Sequence, residues 1–327
     1  MTFEKVLIIR FSSIGDIVLT SPIIRCIKNQ KKSIIHFLTQ QKYIELIKYS
    51  PYIDKVFCIE SFDYDLNRHC YNLVIDLQKN LKSFFVGQFI KEKFQSKYIT
   101  YNKKNIEKWL LVNLKKDYLK NEHIVSRYFC ALRKLNLKND GKGLDYFINP
   151  DLVEKNIPTI FTFKQPFFVW IIGGSYENKK ISTEQIIGVC SKISEPVLFL
   201  GGDEEKKTAK KICSTLKRSN FHNLCGVLNY DQSAYIIKKS SLVLTNDTGF
   251  MHVASSFKKK IISFWGCTKP SLGMYPYKID FNIQLIGNTK KIPCSKLGNR
   301  CRKKINCIKQ IRVNDILNAI KKIGGLS

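Results

Sequence analysis

Short apolar runs of strand length, unbroken by polar alternation, recur along this sequence between helix-patterned segments. Lys5-Val-Leu-Ile-Ile-Arg10, Ser33–Leu38, Lys55–Ile59, Tyr71–Leu77 and Lys97–Tyr101 form one series. Phe167–Ile172, Val197–Leu200, Leu242–Thr245 and Ile261–Phe264 form a second. Such runs suit strands buried on both faces of a parallel sheet, with the intervening helices as right-handed crossovers. The pattern predicts an α/β chain of two Rossmann-like domains. Residues 1–150 form the first, 151–166 (with Pro158 and Pro166) a linker and 167–310 the second; 311–327 carry a C-terminal helix whose docking the sequence does not define. Ligands of open parallel sheets bind at the carboxyl ends of the strands, so the loops there are expected to face a central cleft.

Four of those loops carry polar groups. The first offers Ser12, Ser13, Gly15 and Asp16; the second Gly173, Gly174, Ser175, Lys179 and Lys180. The third offers Gly201, Gly202 and Glu205; the fourth Asn246, Asp247, Thr248, Gly249 and His252. The fourth opens a short helix with Phe250, Val253, Ala254 and Phe257 on its apolar face and His252 off it. Unpaired N–H groups at a helix start, with the helix dipole, favour a phosphate. Plain structural readings stand beside each: Asp16 and Glu205 as first-turn helix residues, the lysines as two among many, His252 as a core histidine. The set suits group transfer from a diphosphate donor. A lysine and a helix N-terminus neutralise the leaving group, and a carboxylate takes the proton of an attacking hydroxyl. No G-x-G-x-x-G or Walker A pattern is present, which counts against NAD enzymes and P-loop NTPases.

The residues also carry a resemblance. Lys5-Val-Leu-Ile-Ile-Arg-Phe-Ser-Ser-Ile-Gly-Asp-Ile-Val-Leu-Thr-Ser-Pro22 resembles the N-terminus of family 9 glycosyltransferases, the heptosyltransferases of lipopolysaccharide core assembly. Thr245–His252, Phe264–Pro270 and Gly273–Pro276 resemble that family's C-terminal signature. The resemblance implies a GT-B fold, a nucleotide-diphospho-sugar donor such as ADP-heptose, and an inverting, metal-independent mechanism without a cofactor. It implies Asp16 as catalytic base beside an acceptor-side loop of Ser12, Ser13 and Gly15. It implies a donor site of Gly174, Ser175, Lys179 (the best match for the diphosphate lysine) with adjacent Lys180, Glu205, Asp247, Thr248, Gly249 and His252. Ser182 departs from the family, where proline is common, and Gly174 replaces a hydroxyl residue. The rival expectations are another GT-B transferase or epimerase with a different nucleotide sugar, or a basic nucleic-acid- or membrane-binding module.

Charge and cysteine content bear on partners. The formal net charge is +29, and 46 of the 55 basic residues are Lys. Abundant Ile, Asn, Phe and Tyr accompany them, a pattern that AT-rich codon usage also produces. Such a surface attracts anionic membranes, and no zinc-finger or RNP-like motif points to specific nucleic-acid recognition. The start lacks a signal-peptide pattern and no run reaches bilayer length, so a cytoplasmic protein peripheral to the inner membrane face is expected. Cys294, Cys301 and Cys307 are spaced C-x6-C-x5-C with Cys267 as a distant fourth. That is a weak zinc pattern, and thiols without metal are the default reading.

Overall fold

The computed structural model describes residues 3–61, 69–149, 151, 165–287, 292–301 and 307–324. The chain divides into two compact units: Met1–Lys103 with His123–Phe147, and Lys104–Glu122 with Ile148–Ser327. The expected linker lies mostly outside the described residues.

The first unit holds β1 (Lys5–Ile9), α1 (Ile14–Val18), α2 (Ser21–Lys31), β2 (Ile34–Thr39), β3 (Lys55–Cys58), β4 (Leu73–Asp76), α3 (Leu81–Phe94) and β5 (Lys97–Thr100). The strands pair in parallel in the order β3-β2-β1-β4-β5. Val6, Leu7, Ile8 and Ile9 are fully buried in the central strand, as an unalternating run requires. Pro22 does not kink one long helix. It is the second residue of α2, where its missing N–H costs nothing, and Leu19–Thr20 separate α2 from α1. The strand order reverses between β1 and β4, so the loops after these two strands flank a topological switch point.

Segment 104–122 was expected in the first domain, but it belongs to the second unit. Its helix α4 (Asn105–Leu114) and the turn after it bury Leu111 and Leu119 with Leu272. Lys115 Nζ also donates to the Pro293 carbonyl, and the Tyr275 hydroxyl to that of Asn121. The chain then returns to the first unit as α5 (Ile124–Ala131). Residues 139–145 are held there by the buried Arg25, which pairs with Asp140 at 2.7 Å and with Asp145. By Asn149 the chain is in the second unit, its N–H donating to Asp231.

The second unit holds β6 (Phe168–Ile171), α6 (Thr183–Cys190), β7 (Val197–Leu200), α7 (Lys206–Leu216), β8 (Phe221–Asn223), α8 (Tyr230–Lys239), β9 (Leu242–Asn246), α9 (Gly249–Ser256), β10 (Ile261–Trp265) and β11 (Asn282–Ile286). The sheet is parallel, in the order β11-β10-β9-β6-β7-β8, with its switch point between β6 and β9. The C-terminal helix α10 (Val313–Lys322) docks on this unit. Ile316, Ala319 and Ile320 enter the core with Val189 and Cys190, and Val313 fills the space a Cβ at Gly188 would occupy.

Candidate active site

The loop after β1 is built around Arg10, where the apolar strand ends. Its Nε donates to the Ser12 carbonyl at 2.8 Å, and Nη1 reaches the Leu77 carbonyl after β4. Nη2 pairs with Asp16 Oδ1 at 2.7 Å. The Gln78 side chain accepts from the N–H groups of Phe11 and Ser12, fixing the same loop from the β4 side. Asp16 sits in the first turn of α1, and Ser13 gives its Oδ2 both an N–H and an O–H. Burial pushes the Asp16 carboxyl up, but the Arg10 guanidinium and the Ser13 donors outweigh it, leaving the group below the ordinary aspartate range. The side chain still keeps 26% of its surface exposed. Asp16 is therefore an oriented, ionised carboxylate that an incoming hydroxyl can reach. Gly15 is buried, Ser12 half-buried and Ser13 exposed.

In the second unit the loops after β6, β7 and β9 come together. Parallel pairing sets Ile171 opposite Thr245 and Leu200, so the three strands end side by side. Lys179 Nζ pairs with Asp247 Oδ2 at 2.6 Å, and the same oxygen accepts from the Thr268 hydroxyl at 2.8 Å. Lys180 Nζ bridges Glu205 at 2.8 Å and the exposed Glu177 at 2.6 Å. Burial lowers the Lys180 pKa, but the hydrogen bonds to the two glutamates more than offset it, and the net shift is upward. Glu205 ends a 3-10 turn before α7 and accepts from the Gly202 N–H at 2.9 Å. A Cβ at Gly201 would lie 2.8 Å from that of Glu205, so the glutamate packs directly on this backbone. Gly174 lies against Lys180 and Thr248, while Ser175 is exposed. A cavity of about 400 Å³ opens here, lined by Ile172, Lys180, Ile181, Thr183, Glu205 and Thr208.

Thr248 is the N-cap of α9, with no side-chain capping bond, so the first helical N–H groups are not covered by it. The face α9 buries differs from the expected one. Met251, His252, Val253, Ala254 and Ser255 are buried, whereas Phe250 and Phe257 are half-buried. His252 therefore belongs to the packed side of the helix, because β9 and α8 cover it more widely than one apolar stripe predicts. Ser182 caps α6 with Gln185 as the reciprocal partner.

Sequence reasoning passed over Arg10 as the end of a strand and Gln78 altogether; a charged residue closing an apolar run six positions before Asp16 was the available signal. It counted Asn246 among the loop residues without assigning its work. The Asn246 amide accepts from the Ile181 N–H at 3.1 Å and donates to the carbonyls of Ile172 and Gly173 at 3.0 and 3.1 Å. Only an amide side chain both accepts and donates twice in this way. Asn246→Ala is expected to cost about 2–3 kcal/mol, since it orphans buried backbone groups, and a urea midpoint measurement checks this. Of the cysteines, Cys294 and Cys301 come together with Cys267, while Cys307 is not in that group.

A family model described as glycosyltransferase family 9 (heptosyltransferase) matches residues 59–305. That range includes the Thr245–Pro276 signature and begins after the Asp16 loop. The chain is also similar along 98% of its length to lipopolysaccharide heptosyltransferase 1 of Campylobacter coli, at 26% identity over 359 aligned positions and 99% of that relative. Among solved structures, the family 9 glycosyltransferase of Veillonella parvula superposes with a TM-score of 0.76 at 16% identity, covering 98% of this chain and 97% of the other. The E. coli ADP-heptose lipopolysaccharide heptosyltransferase II gives 0.74 at 15% identity, covering 98% of both chains. These likenesses establish the two-sheet GT-B fold.

Proposed function

This chain belongs to glycosyltransferase family 9, the heptosyltransferases, and we propose that it moves heptose from ADP-heptose to a lipopolysaccharide-core acceptor by single, inverting displacement without a catalytic metal. The observation that carries this reading is Asp16, a partly exposed carboxylate kept ionised by Arg10 and aimed by Ser13. It accepts the proton of the acceptor hydroxyl as that oxygen bonds to the anomeric carbon. The bond from that carbon to the diphosphate oxygen breaks in the same step, and ADP leaves. Lys179 and the uncapped start of α9 neutralise the departing diphosphate. Glu205 holds ribose hydroxyls at the cavity it lines with Lys180.

The test is incubation of the purified chain with ADP-heptose and a heptose-deficient lipopolysaccharide in the presence of EDTA. Expected are ADP release matched by product formation, and a product of opposite anomeric configuration by NMR. Turnover only with UDP- or GDP-sugars, retention of configuration, or strict dependence on added Mg²⁺ would defeat the reading.

The acceptor is a lipid, and the surface of α3 supports a membrane contact. Leu81, Phe84, Phe85 and Phe89 are exposed, with Leu81 at 77% and Phe85 at 67%. Their i, i+3, i+4, i+8 spacing gives one outward apolar stripe, flanked by exposed Lys82, Lys91 and Lys93. Among the described residues no helix is long and apolar enough to cross a membrane. In this reading the α3 stripe seats the chain on the membrane surface that carries the acceptor. Replacing Phe84 and Phe85 by Ser is expected to weaken co-sedimentation with anionic vesicles about tenfold or more, given the apolar area removed. Hydrolysis of ADP-heptose in solution should stay near the parent level, and equal vesicle binding would remove this face from consideration.

A further inference from the structure

Three thiols from separated stretches meet beside the donor loops. Cys267 follows β10, and Cys294 and Cys301 close the turn 294–301. Their sulfurs all lie within 4.8 Å of one another, Cys267 and Cys294 buried and Cys301 half-buried. Thiolates on one tetrahedral ion at about 2.3 Å stand roughly 3.8 Å apart, so small side-chain adjustments complete the geometry. The backbone already fixes the arrangement: the Cys294 N–H donates to the Cys267 carbonyl at 2.9 Å. Ser295 Oγ accepts from the Gly298 N–H at 2.9 Å and ties the turn. None of the eleven cysteines is in a disulfide.

We propose that Cys267, Cys294 and Cys301 bind one thiophilic metal ion, zinc or iron, which clamps the 294–301 turn against the donor loops. Sulfur donors select these metals over Mg²⁺ or Ca²⁺, and three thiolates leave one position for water or a further ligand. The clamp has a defined object. A Cβ at Gly298 (φ +80°) would lie 2.7 Å from the Lys179 side chain and 3.2 Å from Thr268. The turn therefore rests on the stem of the lysine that pairs with Asp247, and Thr268, next to Cys267, bonds the same carboxylate. The ion makes no contact with reacting atoms in this proposal; Lys179 is positioned through the loops the ion joins.

The full chain, purified anaerobically under reducing conditions, is analysed by inductively coupled plasma mass spectrometry. The expected result is about one zinc or iron per chain, falling below about a fifth of that in Cys301→Ser, while Cys130→Ser, at an exposed position of α5, keeps the full amount. Should Cys301→Ser fail to fold, the parent chain decides. Mercurial titration is then expected to release the ion as the thiols are modified, and cobalt(II) reconstitution to give thiolate-to-metal charge-transfer absorption. Folded, metal-free parent protein, a disulfide between any two of the three cysteines in non-reduced peptide maps, or full metal content in Cys301→Ser overturns the site. The clamp rests on the donor reading and has its own measure. Removing the ion is expected to weaken ADP binding about tenfold by calorimetry, and an unchanged affinity overturns the clamp while the metal site stands.

Discussion

Asp16→Asn is expected to lower kcat by about 10³-fold while changing donor affinity less than about twofold. Asparagine keeps nearly the same shape and still offers an oxygen to the Ser13 donors at 3.1 and 3.3 Å, so the loop keeps its form. It cannot take a proton from the acceptor hydroxyl. The measurement is ADP release under saturating donor and acceptor, with donor binding by calorimetry. Turnover within tenfold of the parent would remove Asp16 as the base, and parallel loss of donor binding would mark it as structural.

The same residue sets a pH dependence whose sign follows from its partners. The Asp16 carboxyl lies below the ordinary aspartate range in the folded protein. Activity is expected to persist through the range in which an ordinary aspartate takes up its proton, with the acid limb of kcat lying below that range. The lowered value also contributes stability that is present above the unfolded aspartate pKa and lost as pH falls through the folded one. Arg10→Gln removes the guanidinium and leaves burial unopposed by it, so the acid limb of kcat should move upward. A variant that loses activity with the limb unmoved would assign Arg10 to loop structure alone.

What the sequence made legible follows from what local pattern encodes. Val6–Ile9 and Leu242–Thr245 read as buried parallel strands because the period of burial is written in them. The strand-ending loops then carry the candidate groups by rule. Segment 104–122 has the same helical pattern whichever unit it joins. Its assignment turns on Leu111 and Leu119 within the segment meeting Leu272, far away in sequence. The partners of the two lysines are equally long-range, since Lys179 meets Asp247 68 positions on only because β6 and β9 are neighbours. Asp16 stands out in its motif as the expected base, but its pairing with Arg10, and the Leu77 carbonyl that holds Arg10 from β4, are seen only in the fold. His252 shows a limit of helical periodicity: a helix covered on two sides buries more than its apolar stripe.

The division of labour between adjacent lysines gives the second large effect. The family resemblance favours Lys179 as the diphosphate lysine with adjacent Lys180 as the alternative, and the structure gives the two different partners. Lys179 lies with Asp247 at the start of α9, and Lys180 holds Glu205 at the 400 Å³ cavity. Charge neutralisation of a leaving diphosphate is needed most as the bond breaks, so Lys179→Met is expected to reduce kcat about 10²- to 10³-fold with a small change in donor KM. Lys180→Met acts on the bound donor in ground and transition states alike. It frees the Glu205 carboxylate from its cation and should raise donor KM about tenfold with kcat nearly kept. Glu205→Gln should resemble the Lys180 variant and not add to it fully, because the two side chains act through one contact. Equal losses of kcat from both lysine variants, or a KM effect confined to Lys179→Met, would reverse the assignment and move the diphosphate to the Lys180 side of the loop.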